Sequence, residues 1–204
     1  MLRLLRSLSY ATPNLRLDGR RVFLRPPTDR DWRDWAELRA ASRAFLEPWE
    51  PTWPSDALSR AIYRRRLDQI EDEIRTDMGY AFHIFRRGDE RLVGGITLSN
   101  MRRGVAQTGT LGYWIGQPFE RQDFMTEAIA AVVEYGFDRL KLHRLEAACL
   151  PMNEASRRVL QKNGFQQEGY ARGYLRINGD WHDHVLFGLL VDEWRRDRAR
   201  PREA

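Results

Sequence analysis

Two segments of the chain carry residues whose types and spacing suit the binding of a large anion and of an extended amide chain. The first reads Tyr113-Trp114-Ile115-Gly116 and then Pro118-Phe119-Glu120-Arg121-Gln122-Asp123-Phe124-Met125-Thr126-Glu127-Ala128, which predicts a strand, a short turn and the start of an apolar helix. Such a turn offers unpaired backbone N–H groups and the positive end of a helix dipole, so Arg121 to Thr126 is a site where a pyrophosphate fits. Arg121 can add paired charged donors to phosphate oxygens. The second segment, Asn153-Glu154-Ala155-Ser156-Arg157-Arg158-Val159-Leu160, opens another helix. Asn153 there can cap the helix or face a bound amide chain with donor and acceptor together. Ser156 is either a hydroxyl available to chemistry at the same place or an ordinary helix-surface serine.

The elements that must hold these residues follow from periodicity and from turn residues. Arg21 to Leu24 reads as a short strand, followed by Pro26-Pro27 and a helix capped by Thr28 that runs to about Ala41. Phe45 to Pro54 is a proline-broken aromatic loop, and a second helix spans roughly Ala57 to Arg75. Ala81 to Arg86 and Leu92 to Leu98 form a hairpin around Arg87-Gly88-Asp89, in which Gly94-Gly95 marks a bulge rather than a phosphate loop. Thr110 to Ile115 leads into the turn, and Met125 to Leu140 has the apolar face of a buried helix. The strand Leu145 to Leu150 precedes the second helix segment, which stops at Asn163-Gly164 before Phe165. Two more strands are joined by Asn178-Gly179, a strong two-residue hairpin signal, and a charged helix near Asp192 to Arg200 follows.

In order and spacing these pieces resemble the GNAT superfamily of N-acetyltransferases, and most resemble its branch of ribosomal-protein-alanine N-acetyltransferases. The strand Arg21-Val22-Phe23-Leu24-Arg25-Pro26, the pair Asn153 and Ser156, Asn163-Gly164-Phe165, Glu168-Gly169 and the hairpin Asn178-Gly179-Asp180-Trp181-His182-Asp183 carry the likeness with the turn itself. The resemblance implies an α/β (α+β) fold with a mixed, mostly antiparallel sheet, helices on both faces and a splayed cofactor cleft. It implies acetyl-CoA as co-substrate, held by Trp114, Ile115, Arg121, Gln122, Asp123, Phe124, Met125, Thr126, Asn153 and Ser156. Asp123 departs from the family pattern, which has glycine at that place because backbone there approaches phosphate closely. An aspartate adds bulk and negative charge, or else caps the following helix with its carboxylate turned away.

The chemistry implied is transfer of an acetyl group from acetyl-CoA to a primary amine. The α-amine of a protein, such as a ribosomal protein, is the first acceptor expected; a small amine (antibiotic or polyamine) or a degenerate acyl-CoA-binding protein without turnover are the alternatives. The amine loses a proton, attacks the thioester and expels a thiolate. A backbone N–H near Trp114 to Gly116 is expected to hold the oxyanion. Leu160 stands where many members carry an acidic tyrosine, which leaves Ser156 as the donor to the thiolate. Glu47, Glu50 and Glu168 are candidate bases by charge, with a water chain as the alternative; Glu50 lies in the aromatic loop expected to wall the acceptor. Phe45, Trp49, Trp53, Tyr170, Tyr174 and Trp181 are acceptor contacts or core filling.

Composition sets the outer bounds. At 204 residues and 42% hydrophobic content the chain can bury a substantial core, and a single domain over residues 1–204 is expected, with residues 1–14 an N-terminal extension and residues 195–204 a charged tail. Cys149, the single cysteine, sits in an apolar strand and reads as a core residue; one cysteine cannot form an internal disulfide, which suits a reducing cytoplasm. No run of about 18 apolar residues exists, so no membrane span is expected. The net charge of +5 mixes 34 basic with 29 acidic residues, and the arginine-rich end reads as a solvated helix rather than an RNA contact. His182 and His184 could face one side as metal ligands, but no accompanying cluster supports a metal. The resemblance leaves a homodimer open.

Overall fold

The computed structural model describes residues 15–199; the expected extension over residues 1–14 and the last residues of the charged tail lie outside them. Eight strands form one sheet: β1 (Leu17–Asp18), β2 (Val22–Arg25), β3 (Tyr80–Arg86), β4 (Leu92–Arg102), β5 (Thr108–Ile115), β6 (Arg144–Cys149), β7 (Gln166–Ile177) and β8 (Asp180–Leu190). Their order is β1-β2-β3-β4-β5-β6-β8-β7, and every pairing is antiparallel except β5 with β6. That parallel pair requires a long crossover, which is the helix after the expected anion turn.

The helices are α1 (Trp32–Ala41), α2 (Arg43–Leu46), α3 (Arg60–Arg75), α4 (Phe124–Glu134), α5 (Glu154–Lys162) and α6 (Val191–Ala199). They cover both faces of the sheet, which is why β2 and β3 are buried almost throughout rather than alternating. Along β2, Val22 and Leu24 enter the core beneath α4 with Ile129, Val132 and Leu160, while Phe23 points the other way into a smaller core with Trp35, Tyr63, Phe85 and Leu92. α1 and α3 supply that second core.

Several boundaries differ from the periodicity reading for local reasons. α3 starts at Arg60, later than the expected Ala57, because Ser59 caps it by accepting from the Ile62 N–H at 3.3 Å. The helix expected to reach Leu140 keeps α geometry to Glu134, and its last turn, Tyr135–Arg139, widens to π spacing, with the Leu140 N–H donating to the Tyr135 carbonyl at 3.0 Å. β1 was not expected; two residues leave no periodicity to read. The turn signals hold: Gly164 adopts φ +84° after α5, and Asn178 and Gly179 both take positive φ between β7 and β8.

Candidate active site

The cleft begins where β5 and β6 part. They pair in register from Thr108 opposite Arg144 to Leu111 opposite Ala147. Beyond that, β5 stays with β4 through Ile115 opposite Gly94, while β6 stays with β8 through Cys149 opposite Val185. The backbone edge of residues 112–115 is thereby left without a strand neighbour on one side. Unpaired edge N–H and C=O groups of this kind are what an extended amide chain can bond.

β4 is shaped to let β5 sit this way. A register shift between Ile84 and Phe85 of β3 accommodates a bulge beside Gly94, as the Gly94-Gly95 pair suggested. A Cβ on Gly94 would meet the Trp114 carbonyl oxygen at 2.4 Å, and one on Gly95 the Trp114 indole Nε1 at 2.5 Å. Both glycines are required by the closeness of Trp114.

The turn expected to hold an anion lies at the start of α4. Arg121 and Asp123 both adopt left-handed backbone, with φ of 57° and 59°, a conformation that glycine enters freely and other residues enter at a cost. Asp123 occupies the N-cap position of α4, but its side chain makes no capping hydrogen bond to the helix N–H groups. Its carboxylate instead accepts from Lys162 Nζ at 2.8 Å, at the end of α5, and from Thr126 Oγ1 at 3.3 Å. The hydrogen bond from Lys162 holds the Asp123 carboxyl below its ordinary pKa. The first N–H groups of α4 are therefore not occupied by the residue that precedes them. Arg21 secures the turn to β2: its guanidinium donates to Glu127 at 2.6 Å and to the Gln122 carbonyl at 2.9 Å. Phe124 and Met125 point their side chains into the core, so only their backbone can face a ligand.

Across the cleft, Asn153 caps α5, its Oδ1 accepting from the Ser156 N–H at 3.0 Å. Ser156 Oγ lies 2.8 Å from the Tyr113 hydroxyl. Burial, the strongest influence on Tyr113, raises its phenol pKa, so the ring stays protonated at neutral pH. Cys149 is buried beside Ser156; burial likewise raises its thiol, which makes it a core residue and not a thiolate.

Trp114 points to the opposite face of the sheet from Tyr113, as strand alternation requires. There a cavity of about 310 Å³ lies between the sheet and helices α1 and α3, with Trp114, Arg39, Glu50, Arg66 and His83 in its wall. A smaller chamber of about 190 Å³ shares Arg39, Glu50, Pro51 and Arg66 with it and adds Trp53. Arg39 organises the region. Its guanidinium donates to both oxygens of Glu50, and it sits 4.3 Å from the Trp53 ring centre and 4.8 Å from that of Trp114. Glu50 also accepts from Trp53 Nε1 at 2.8 Å, and its carbonyl accepts from the Asn178 N–H at 2.9 Å, which ties the loop to the hairpin tip.

The expected residues thus separate into groups. Arg121, Gln122, Asp123 and Thr126 share the turn with the backbone of Phe124 and Met125; Asn153 and Ser156 open α5, where Ser156 meets Tyr113 of β5; Trp114 and Glu50 line the cavity. Glu47 pairs with Arg43 at 2.6 Å, and Glu168 with Arg144, whose hydrogen bond holds that carboxyl below its usual pKa. Of the aromatics expected as acceptor contacts or core filling, Trp53 lines a chamber, while Tyr170, Tyr174 and Trp181 are exposed on the long hairpin. His184 is buried with its Nδ1 2.9 Å from the His182 carbonyl, and among the described residues no group of His, Cys, Asp or Glu is placed to hold a metal. Sequence reasoning missed Tyr113, Lys162, Arg39, His83 and Arg66. For Arg66 a signal was present, since it falls between Tyr63 and Ile70 on the buried stripe of α3.

Comparison with known proteins shows the family and the fold. A family profile for the acetyltransferase (GNAT) domain matches residues 21–166. The chain is 36% identical over 174 residues to the probable N-acetyltransferase YjcK of Bacillus subtilis, covering 85% of this chain and 96% of that protein. It is 35% identical over 183 residues to the ribosomal protein uS5-alanine N-acetyltransferase of Escherichia coli, covering 89% and 94%. Among solved structures, Mycobacterium smegmatis RimJ in complex with CoA-disulfide has the same fold at a TM-score of 0.83 and 31% identity, over 87% of this chain and 88% of that one.

Proposed function

This chain belongs to the GNAT acetyltransferase family, and on that footing we propose that it moves an acetyl group from acetyl-CoA to the N-terminal α-amine of a protein, with a ribosomal protein the substrate class its relatives suggest. The observation that carries the choice of acceptor is the charge of the cavity. Its wall holds Arg39 and Arg66 against one carboxylate, Glu50, which Arg39 already engages. A polyamine or aminoglycoside, itself a polycation, needs an acidic cleft. Two adjoining chambers instead suit the first residues of a chain that enters with its amine foremost.

The residues present fit acetyl-CoA. The uncapped start of α4 and Arg121 suit its pyrophosphate, and the free edge of residues 112–115 with Asn153 suits its pantetheine amides. Once bound, it supplies an activated acetyl group whose thiol leaves when an amine attacks. We assign the remaining tasks to this chain's own groups. Ser156 donates to the departing sulfur, and Tyr113, protonated and 2.8 Å away, orients that hydroxyl. Glu50, the one carboxylate lining the chambers among the described residues, takes the amine proton directly or through water. A single buried cysteine fits work in a reducing cytoplasm, and among the described residues no helix is long and apolar enough to cross a membrane.

Thiol release from acetyl-CoA against a panel of peptides and small amines tests this reading. Peptides with a free α-amine are expected to release thiol, and their N-blocked counterparts and polyamines are not. Faster release with a polyamine or aminoglycoside would transfer the assignment to small amines. Saturable acetyl-CoA binding with no release for any amine would leave a binding protein.

A further inference from the structure

Arg66 is an arginine on the wrong side of its helix. α3 buries Tyr63 and Ile70, and Arg66 lies between them on that stripe with its side chain exposed at the cavity wall. It lines both chambers. Along α3, Arg60 and Arg64 have a partner in Asp29 at 2.5 Å and 3.2 Å, and Arg65, exposed and without a hydrogen bond or ion pair among the described residues, lines neither chamber. Arg66 has no such partner among the described residues. The acids near enough to act on it, Glu50 and Glu73, are engaged elsewhere: Glu50 by Arg39 and Trp53, Glu73 by Gln69 at 2.6 Å. The side chain remains exposed within the cavity, yet the surrounding protein crowds it enough that desolvation, followed by the charge of Arg39, lowers its pKa. A second group in the same wall is also unsatisfied. His83 is 4% exposed, and its Nδ1 has no hydrogen-bond partner, the nearest Asp31 oxygen being 3.8 Å away.

A guanidinium in a cavity wall with no hydrogen bond or ion pair of its own is an arrangement completed by an anion. We propose that Arg66 forms a carboxylate-binding subsite in the acceptor cavity, with His83 in the same wall, and that the enzyme prefers acceptors bearing an acidic group close to the amine. The inference rests on the reading of this cavity as the acceptor site. An aspartate or glutamate among the first residues of a protein N-terminus is the occupant that suits it, since the wall already supplies the paired donors a planar carboxylate accepts.

Two measurements keep the subsite separate from the transferase reading. Trp53 and Trp114 border the chambers and report binding by fluorescence without turnover. Titration with peptides carrying aspartate at the first, second or third position, each against its asparagine twin, is expected to show at least one aspartate peptide binding about ten-fold more tightly, as a charged hydrogen bond implies. The preference should shrink at high salt, vanish in Arg66→Gln and survive in part in Arg66→Lys. The same pairs in the thiol-release assay should show the same order in kcat/KM. Equal binding of every pair by the wild type, or a preference that persists in Arg66→Gln, overturns the subsite. Thiol release from all peptides without a charge preference removes the subsite alone; an aspartate preference in binding with no thiol release removes the transferase reading and leaves the subsite standing.

Discussion

At the scale of single residues, the departure at Asp123 has a specific cost and a specific compensation. Its left-handed backbone favours glycine, and its carboxylate adds a negative charge to the turn proposed for the pyrophosphate, which Lys162 neutralises. Replacing Asp123 with glycine relaxes the backbone, removes the negative charge and releases Lys162 toward the anion. Acetyl-CoA is expected to bind several-fold more tightly in Asp123→Gly at low ionic strength, with the gain falling as salt rises; calorimetry at two salt concentrations measures it. Lys162→Ala leaves the Asp123 charge uncompensated and should weaken binding in the same assay. Ser156 and Tyr113 separate by kinetics. Ser156→Ala should lower kcat by about 10- to 100-fold with acetyl-CoA affinity nearly unchanged, as for a lost proton donor, and Tyr113→Phe should move kcat in the same direction by less. Equal kinetics in both variants and the wild type would return the pair to a structural hydrogen bond.

At the scale of elements, the cleft depends on how closely β4 and β5 approach and on how the chain enters α1. Gly94 has no room for a methyl group because the Trp114 carbonyl is backbone and cannot turn aside. Gly94→Ala should cost about 1–3 kcal/mol of stability by overpacking, read from a denaturant melt, and should reduce turnover further by displacing residues 114–115. The start of α1 is held by Asp31, which accepts from Arg25 at 2.6 Å and 2.8 Å and from the Thr28 N–H at 2.7 Å. Burial pushes its pKa up, but the hydrogen bonds, that from Arg25 foremost, outweigh it and hold the carboxyl far below its usual range. Its native-state pKa lies below the unfolded one, so its contribution is complete above about pH 4 and is lost as pH falls below that. Asp31→Asn should therefore destabilise at pH 7, by about 2–4 kcal/mol for a partly buried pair, and should flatten the acid limb of the stability profile. An unchanged acid limb would mean that other carboxylates set it.

At the scale of the whole molecule, acetyl-CoA should act as a clamp across β5, α4 and α5, because its proposed contacts come from all three. At about 100 times its Kd a ligand of the native state adds about 2.7 kcal/mol, which for a chain of this size raises Tm by about 5–10 °C. A thermal shift measures this, and no shift at saturating acetyl-CoA would argue against the site. Many of the local elements were legible in the chain alone. The strand-turn-helix after Tyr113, the Asn153 cap, the Gly164 stop and the Asn178-Gly179 hairpin are each decided by neighbours a few residues apart, through periodicity, capping and permitted φ. The partner of Asp123 was not legible, since Lys162 is 39 residues away and meets it only because α5 packs beside α4. Nor was the cavity proposed for the acceptor, where Arg39, Glu50, Arg66 and His83 come from three helical or loop segments and a strand that share no sequence pattern. Local rules place a side chain on a face; which charges then confront one another, and which are left without a partner, is decided only when the helices close over the sheet.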